Sequence, residues 1–343
     1  MALPSSLVWE VRTTGSNLNG GAFDARVRAA GTDYSQQDGP QATYTDLKLD
    51  AADGTKVTSS SRPFQATDVG NTIRIPSGIT GMTAGVYCIQ SVTGGVAVLD
   101  RACGTAGTSQ GTGSIRLGGA IASLSRLASD MVAKNLAFVK SGSYAEAGTV
   151  TFAQDAGTST PTNPPSRLIG YAVTRADYDT MGLSRPEISI GGTGNGLTFS
   201  GAGWSVENLS LSGGSVYTRM EMDGSASNAV RNCKFTGFTG SAVSTGTVRV
   251  TYCEITGATA GVGFNLGNYV ALENNYIHDS TFTYFAVKLQ AHALATRNVI
   301  ANIATGHGIS LQYGGHQAVL FNTIHNVAGS GLNVIYSPDP TGL

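Results

Sequence analysis

Charge is scarce in this chain. Lys, Arg, Asp and Glu together make up 13% of its 343 residues, about half the usual share. The formal net charge of −1 leaves no basic footprint for nucleic acid and no polybasic segment for a membrane surface, so neither is expected as a partner. No apolar run approaches the roughly 20 residues that span a bilayer. The start, MALPSSLVWEVRTTGS, has neither a basic n-region nor a long apolar h-region, and no secretory signal is expected. Four cysteines are too few for a disulfide scaffold. Cys88 and Cys103 flank a hairpin and have no metal-ligand spacing. Helical periodicity is nearly absent too: one stretch, Ala120 to Met131, places Ile121, Leu124, Leu127 and Ala128 on one face.

Glycine, at 46 residues, is abundant, and so is repetition. With Leu209 at position zero, a register runs through Cys233, Cys253, Asn275, Asn298 and Asn322 at steps of 24, 20, 22, 23 and 24. Two places later stands Leu211, Phe235, Ile255, Ile277, Ile300 or Ile324. Three places earlier stands Val206, Val230, Val250, Leu272, Ala295 or Val319. A second register follows Met222, Val243, Phe264, Val287, Ile309 and Leu332. Self-similarity of this period marks a solenoid, in which each repeat buries its apolar edge on its neighbours.

Parity selects the kind. Residues two apart on a strand share a face, and Val319, Phe321 and Ile324 cannot all point inward along one straight strand. A corner must fall at Asn322, and likewise at Asn298 and Asn275. Asn tolerates the left-handed conformation of a tight corner, and its amide can bond to copies above and below. Dense Gly and β-branched residues argue against helical repeats. The fold expected is all-β: a right-handed parallel β-helix preceded by a small N-terminal β domain. Its parts are an extended leader (1–41), a small β domain fit to act as an attachment module (42–118), and the solenoid with its capping helix (119–343). Within the middle part, Thr93-Gly94-Gly95 is a hairpin turn between two strands. RLIGY and PEISI are expected as the first full coils, and the last coil is expected to end uncapped near Asp339 to Leu343.

The segments AVRNCKFTGFTGSAV, VALENNYIHDS and AVLFNTIHNVAGSGLNV resemble coils of the pectate-lyase-like β-helix superfamily. That fold carries lyases, hydrolases, tailspikes and inert structural proteins alike. VWEVRTTGSNLNGGAFD, TDYSQQDGPQATYTDL, DVGNTIRI and GGVAVLDRACGTAGTSQGTG resemble the amino-terminal segments of β-helix proteins of tailed bacteriophages. The resemblance implies a virion protein, made in the host cytoplasm, decorating the capsid or forming part of the tail. Its implied partners are other virion proteins and two sister copies in a homotrimer. The alternative it carries is a tailspike-like depolymerase or a glycan-binding receptor-recognition protein acting on host surface polysaccharide.

The candidate chemistry is thin. Gly306-His307-Gly308 resembles a segment of polygalacturonase-type hydrolases, but the coil before it, Tyr284 to Lys288, holds no carboxylate. Such an enzyme needs a carboxylic acid paired with a carboxylate base. Glu221 and Asp223, with Arg219, form a charged stripe, yet later coils add no carboxylates to complete a calcium shell of six to eight oxygens. The two carboxylates of a depolymerase could still be supplied across subunits, for example by Glu254, Glu273 or Asp279. His278, His292, His316 and His325 share no face with a carboxylate and have no zinc spacing. Tyr276, Tyr284 and Tyr313 could line a sugar-stacking strip. The small residues Ala242/Ser244, Gly263/Asn265, Ala286/Lys288, Gly308/Ser310 and Gly331/Asn333 would form a flat outer docking face. Cys233 and Cys253, one coil apart at about 4.8 Å, are close enough for a disulfide and also stack as two small buried side chains. No residue is assigned as catalytic, cofactor-binding or metal-ligating, and no cofactor is expected.

Overall fold

The computed structural model describes residues 3–24, 26, 31–106, 113–154, 165–177, 184–212, 218–223, 228–246, 248–312 and 315–335. It divides into two compact units, residues 1–140 and 141–343.

The first unit is built on a seven-stranded antiparallel sheet. Its order is Ala42–Tyr44, Ile115–Leu117, Thr72–Ile75, Gly85–Thr93, Val96–Leu99, Lys56–Thr58 and Lys48–Leu49. Tyr44, Val57, Ile73, Ile75, Ile89 and Leu117 fill its core. The hairpin at Gly94-Gly95 forms as expected, with φ of 58° and 82°. These positive values are the ones that a two-residue turn between twisted strands requires.

The expected leader is not loose. Leu7–Val11 is a fully buried strand, antiparallel to Ala22–Asp24 and parallel to Leu136–Lys140. Trp9 is buried there and donates its indole N–H to Asn135 Oδ1 at 2.9 Å. Two glycines of the leader serve close packing: Gly20 and Gly21 donate to the carbonyls of Gly118 and Gly119 at 2.9 and 3.0 Å. A Cβ on Gly20 would sit 2.1 Å from the Thr72 carbonyl oxygen. The helix is shorter than its apolar pattern, Leu124–Asp130, because Ser123 caps it by accepting from the Arg126 N–H. The helix and Leu136–Lys140 both belong to this first unit, so the boundary lies after Lys140 and not at 118/119.

The second unit is a right-handed parallel β-helix. Each coil contributes one strand to each of three parallel sheets, here called faces. The first face stacks Ser166–Tyr171, Trp204–Glu207, Asn228–Arg231, Val248–Thr251, Ala271–Glu273, Leu294–Thr296 and Ala318–Leu320. The second takes Lys234–Thr236, Glu254–Thr256, Val299–Ile303 and their counterparts. The third takes Ser241–Thr245, Thr259–Leu266, His307–Gln312 and theirs. RLIGY lies on the first face and PEISI on the second, in Glu187–Ile190. Coiling is already under way at Ser143–Glu146 and Val150–Phe152.

Both apolar columns of the first register stand as the sequence implies. Val206 pairs with Val230, then Val250, Leu272, Ala295 and Val319. Leu211 pairs with Phe235, then Ile255, Ile277, Ile300 and Ile324. The second register is correct from Val243 onward but begins two residues late, since Val243 pairs with Met220 and not Met222. Both methionines are buried. A slip of two residues keeps the inward face, so parity cannot detect it.

The asparagine ladder forms. Asn275 donates its side-chain amide to Asn298 Oδ1 at 2.9 Å, and Asn298 does the same to Asn322 Oδ1 at 2.9 Å. Each acceptor oxygen also takes the backbone N–H of the asparagine that donates to it. The left-handed residue, however, is the one before: Asn208, Asn232, Tyr252, Asn274, Arg297 and Phe321 have φ between 51° and 59°. That twist turns the following asparagine into the core, where Asn275 and Asn298 are buried. A second left-handed corner, four places after the register position, falls at Gly237, Gly257, Asp279, Asn302 and Asn326. It carries its own ladder, Asn326 to Asn302 at 2.8 Å and Asn302 to Asp279 at 2.9 Å.

In the last described coil, Leu320, Phe321, Leu332 and Val334 are exposed, and residues 336–343 lie outside the described residues.

Candidate functional site

The expected flat docking face is only partly on the surface, and its Ser310 is buried. Ala242, Gly263, Ala286 and Gly308 form one paired column, and all four are buried. A Cβ on Gly263 would sit 2.3 Å from the Ala286 carbonyl oxygen and 3.2 Å from the Phe282 ring. On Gly308 it would sit 3.1 Å from Ile324. The column therefore faces core side chains, and its small size answers to the close approach of neighbouring coils. Only the alternate column, Glu221, Ser244, Asn265 and Lys288, looks outward.

That outward column lines a shallow cavity of about 290 Å³ with a single carboxylate, Glu221. Glu221 accepts from the Asn195 side chain. The side chains of Arg219 and Asp223, which complete the charged stripe in the sequence, lie outside the described residues. Among the described residues no group of three His, Cys, Asp or Glu is placed to hold a metal ion.

His307 is half-buried at a strand entry, paired with Phe285. Its Nδ1 accepts the Ser330 N–H at 2.9 Å, which leaves the proton of the neutral ring on Nε2. The paired segment Tyr284 to Lys288 supplies no carboxylate to act with it.

His278 overturns the expectation that no histidine shares a face with a carboxylate. Glu254, one coil earlier on the second face, lies 3.3 Å from Nε2, and Asp279 lies 2.7 Å from Nδ1. The register makes the first contact diagonal between strands, and the left-handed corner at Asp279 makes the second. Lys234 completes the set at 2.9 Å from Glu254. Burial alone would raise the Glu254 carboxyl, but the Lys234 and His278 contacts outweigh it and hold it below its ordinary value. The hydrogen bond to His278, then that from Asn302, holds Asp279 below its ordinary value too. Glu273 is paired with Arg249 at 2.7 Å. Glu254, Glu273 and Asp279 are thus each tied to a partner in their own subunit.

The tyrosines do not form a strip. Tyr276 stacks on His278 on the second face, while Tyr284 precedes the third-face segment that pairs with His307. Tyr313 lies outside the described residues. His292 stacks instead on Tyr269, with ring centroids 4.8 Å apart. Cys233 and Cys253 are free, buried thiols, with Sγ–H groups directed at backbone carbonyls.

The most developed surface feature was not singled out in the sequence. The outward side of the first face holds a groove of about 650 Å³ lined by Arg167, Arg231, Arg249 and Arg297, with Glu207 and Glu273. Arg167 donates through two nitrogens to Glu207 Oε1 at 2.8 and 3.2 Å, and Arg249 does the same to Glu273 Oε2 at 2.7 and 3.2 Å. Between Arg167 and Arg249 the same column holds only Ser205 and Ala229. The signal was available: these residues sit one, two and four places before the register position, columns that were not compared from coil to coil.

Residues 191–341 match the family model described as right handed beta helix region. The match rests on the repeated coils and supports the fold. No curated protein and no solved structure matches the chain at a significant level.

Proposed function

We propose that this chain is a non-catalytic structural protein of a tailed-bacteriophage virion, decorating the capsid or forming part of the tail as a homotrimer. The observation that carries the structural role is the commitment of its polar groups. Two ladders join successive coils through amides and one carboxylate. Glu254, Glu273 and Asp279, which a hydrolase would need, are held by Lys234, Arg249, His278 and Asn302. A solenoid whose coils are joined in this way resists local opening, a property that suits an external particle component. The resemblance of the leader and small β domain to phage proteins supplies the setting.

The test is quantitative mass spectrometry of purified particles of the source phage, scaled to the major capsid protein. Hundreds of copies would support a capsid or tail position. A handful, in multiples of three, would support a spike or fibre. Absence from the particle would overturn the reading.

A further inference from the structure

The corner between the third and first faces carries a column of rings. Tyr269, His292 and His316 share one register in three successive coils, each two places before the paired first-face residues Ala271, Leu294 and Ala318. Tyr269 and His292 stack, with centroids 4.8 Å and planes 4° apart, and both backbones are left-handed, at φ of 57° and 56°. The third ring departs from the stack. In its coil Gly315, one place earlier, takes the left-handed conformation at φ 90°, and the His316 ring tilts 50° from that of His292 at a centroid distance of 5.8 Å.

Both histidines are exposed, and among the described residues neither imidazole has a hydrogen-bond or ion-pair partner. They differ in this from His278, whose nitrogens face Glu254 and Asp279, and from His307, whose Nδ1 accepts the Ser330 N–H. The pair is also held in place. Tyr269 backs the His292 ring. Ahead of His316, a Cβ on Gly315 would sit 2.9 Å from the Ala291 Cβ and 3.5 Å from the His292 nitrogen, so the two coils touch there. Behind it, Gln317 donates its side-chain amide to the carbonyls of Gln290 and Gln312 at 2.8 and 3.0 Å. The chain on each side of His316 is thus fixed before anything binds, which lowers the ordering cost of a ligand.

We infer that His292 and His316 form a two-histidine site for a divalent transition-metal ion of the zinc and copper class, which clips two successive coils together. A neutral imidazole has one nitrogen lone pair to give. Imidazole suits zinc, copper and nickel, whereas calcium and magnesium take oxygen ligands. An ion about 2.1 Å from one nitrogen of each ring holds the two centroids roughly 5–6 Å apart, which is the separation of this pair. Among the described residues no group of three His, Cys, Asp or Glu converges on an ion, so water takes the remaining positions and the ion exchanges readily. In the sequence 24 residues separate the two histidines, a spacing that matches no linear ligand motif. Coiling alone brings them together. The inference concerns this corner and does not depend on a virion setting.

The experiment is calorimetric titration of the untagged full chain with zinc chloride at about pH 7.5, where an ordinary imidazole is neutral. Calcium chloride serves as the comparator. Zinc should bind at one ion per chain, and calcium should not bind. His292→Asn, which keeps a residue tolerant of the left-handed corner, and His316→Ala should each weaken zinc binding about tenfold or more, because either change leaves a single ligand. His325→Ala removes an exposed histidine whose neighbour one coil earlier is Ala301, and it should leave binding unchanged. Circular dichroism and melting of each variant verify the fold, and His316→Gln, with a loss of the same sign, replaces any variant that fails to fold. The inference is overturned if the folded chain takes up no zinc at submillimolar concentration, or if either folded variant retains the parent affinity. It also fails if calcium binds as tightly as zinc, or if His325→Ala weakens binding as much as His316→Ala does.

Discussion

The two units bury their most enclosed polar groups by different means, although amides such as Asn71 are also buried in the first and the Glu207–Arg167 pair in the second. In residues 1–140 the buried carboxylates Glu10, Asp24 and Asp68 are each met by a particular arginine, Arg12, Arg26 and Arg62. In the coiled unit the buried corners are filled by neutral amides, Asn275 and Asn298, each bonded to the coils above and below. An irregular sheet must solve every buried polar site separately, by local charge pairing. A repeating coil solves one site and copies it, so neutral groups suffice. The two solutions should also fail differently. The two tryptophans permit a separate readout, since Trp9 lies in the first unit and Trp204 in the second.

The largest effect is expected from breaking the amide ladder at its centre. Asn298→Ala removes the side-chain bonds to Asn322 and to the Leu272 carbonyl and strands the buried Asn275 N–H, while the Asn275 amide loses one acceptor and keeps the Val250 and Glu273 carbonyls. With the buried Asn275 N–H unpaired and three side-chain bonds lost, the coil should lose about 3 kcal/mol, read as a lower urea midpoint in Trp204 fluorescence. Trp9 fluorescence should report an unchanged midpoint.

Asp68→Asn is the counterpart in the first unit. It weakens the two-pronged pair with Arg62, at 2.9 Å on both arms. Arg62 is partly exposed, so the loss should be about 2 kcal/mol, seen by Trp9 and not by Trp204. Equal movement of both tryptophan signals in either variant would erase the contrast between the units.

Acid should separate the units without mutation. Burial alone would raise the Asp24 carboxyl, but hydrogen bonds from Arg26 and Ser6 outweigh it and place its pKa below 3.8. A depressed carboxylate contributes stability that is complete above its unfolded value, about 3.9, and is lost as pH falls through the folded value. The Trp9 transition should therefore weaken below about pH 4, and the Trp204 transition should weaken less, because the depressed carboxylates of the coil, Glu254 and Asp279, are more exposed than Asp24 and the amides of the Asn275–Asn322 ladder do not titrate. Melting curves between pH 7 and pH 3 check this.

The smallest effect has the opposite sign. Phe321 is 82% exposed yet held at φ 56°, a region costing a side chain with Cβ about 1–2 kcal/mol. Phe321→Asn should stabilise the coil by about 0.5–1 kcal/mol, as a small upward shift of the Trp204 midpoint. No shift would mean that the ring makes contacts worth the strain.

The parallel columns of the coil were legible because identical geometry recurs every coil, so any inward position announces itself by repetition. That repetition gave Val206 to Val319 and Leu211 to Ile324 without error. It did not separate Met220 from Met222, because a two-residue slip leaves the same face inward. The outer columns were harder, since they alternate Arg, Ser, Ala and Glu with no common residue type. The groove they form exists only once coils are stacked at the strand spacing.

By itself, then, the amino-acid order determined the solenoid, a corner at the asparagine position and the asparagine ladder, all products of local alternation repeated at a near-constant period. Tertiary structure alone decided which small residues are buried, which arginines meet across coils, and that the glycine-rich leader is a core strand. Those outcomes depend on contacts between residues 20 to 130 positions apart, and no local pattern in the chain encodes such distances.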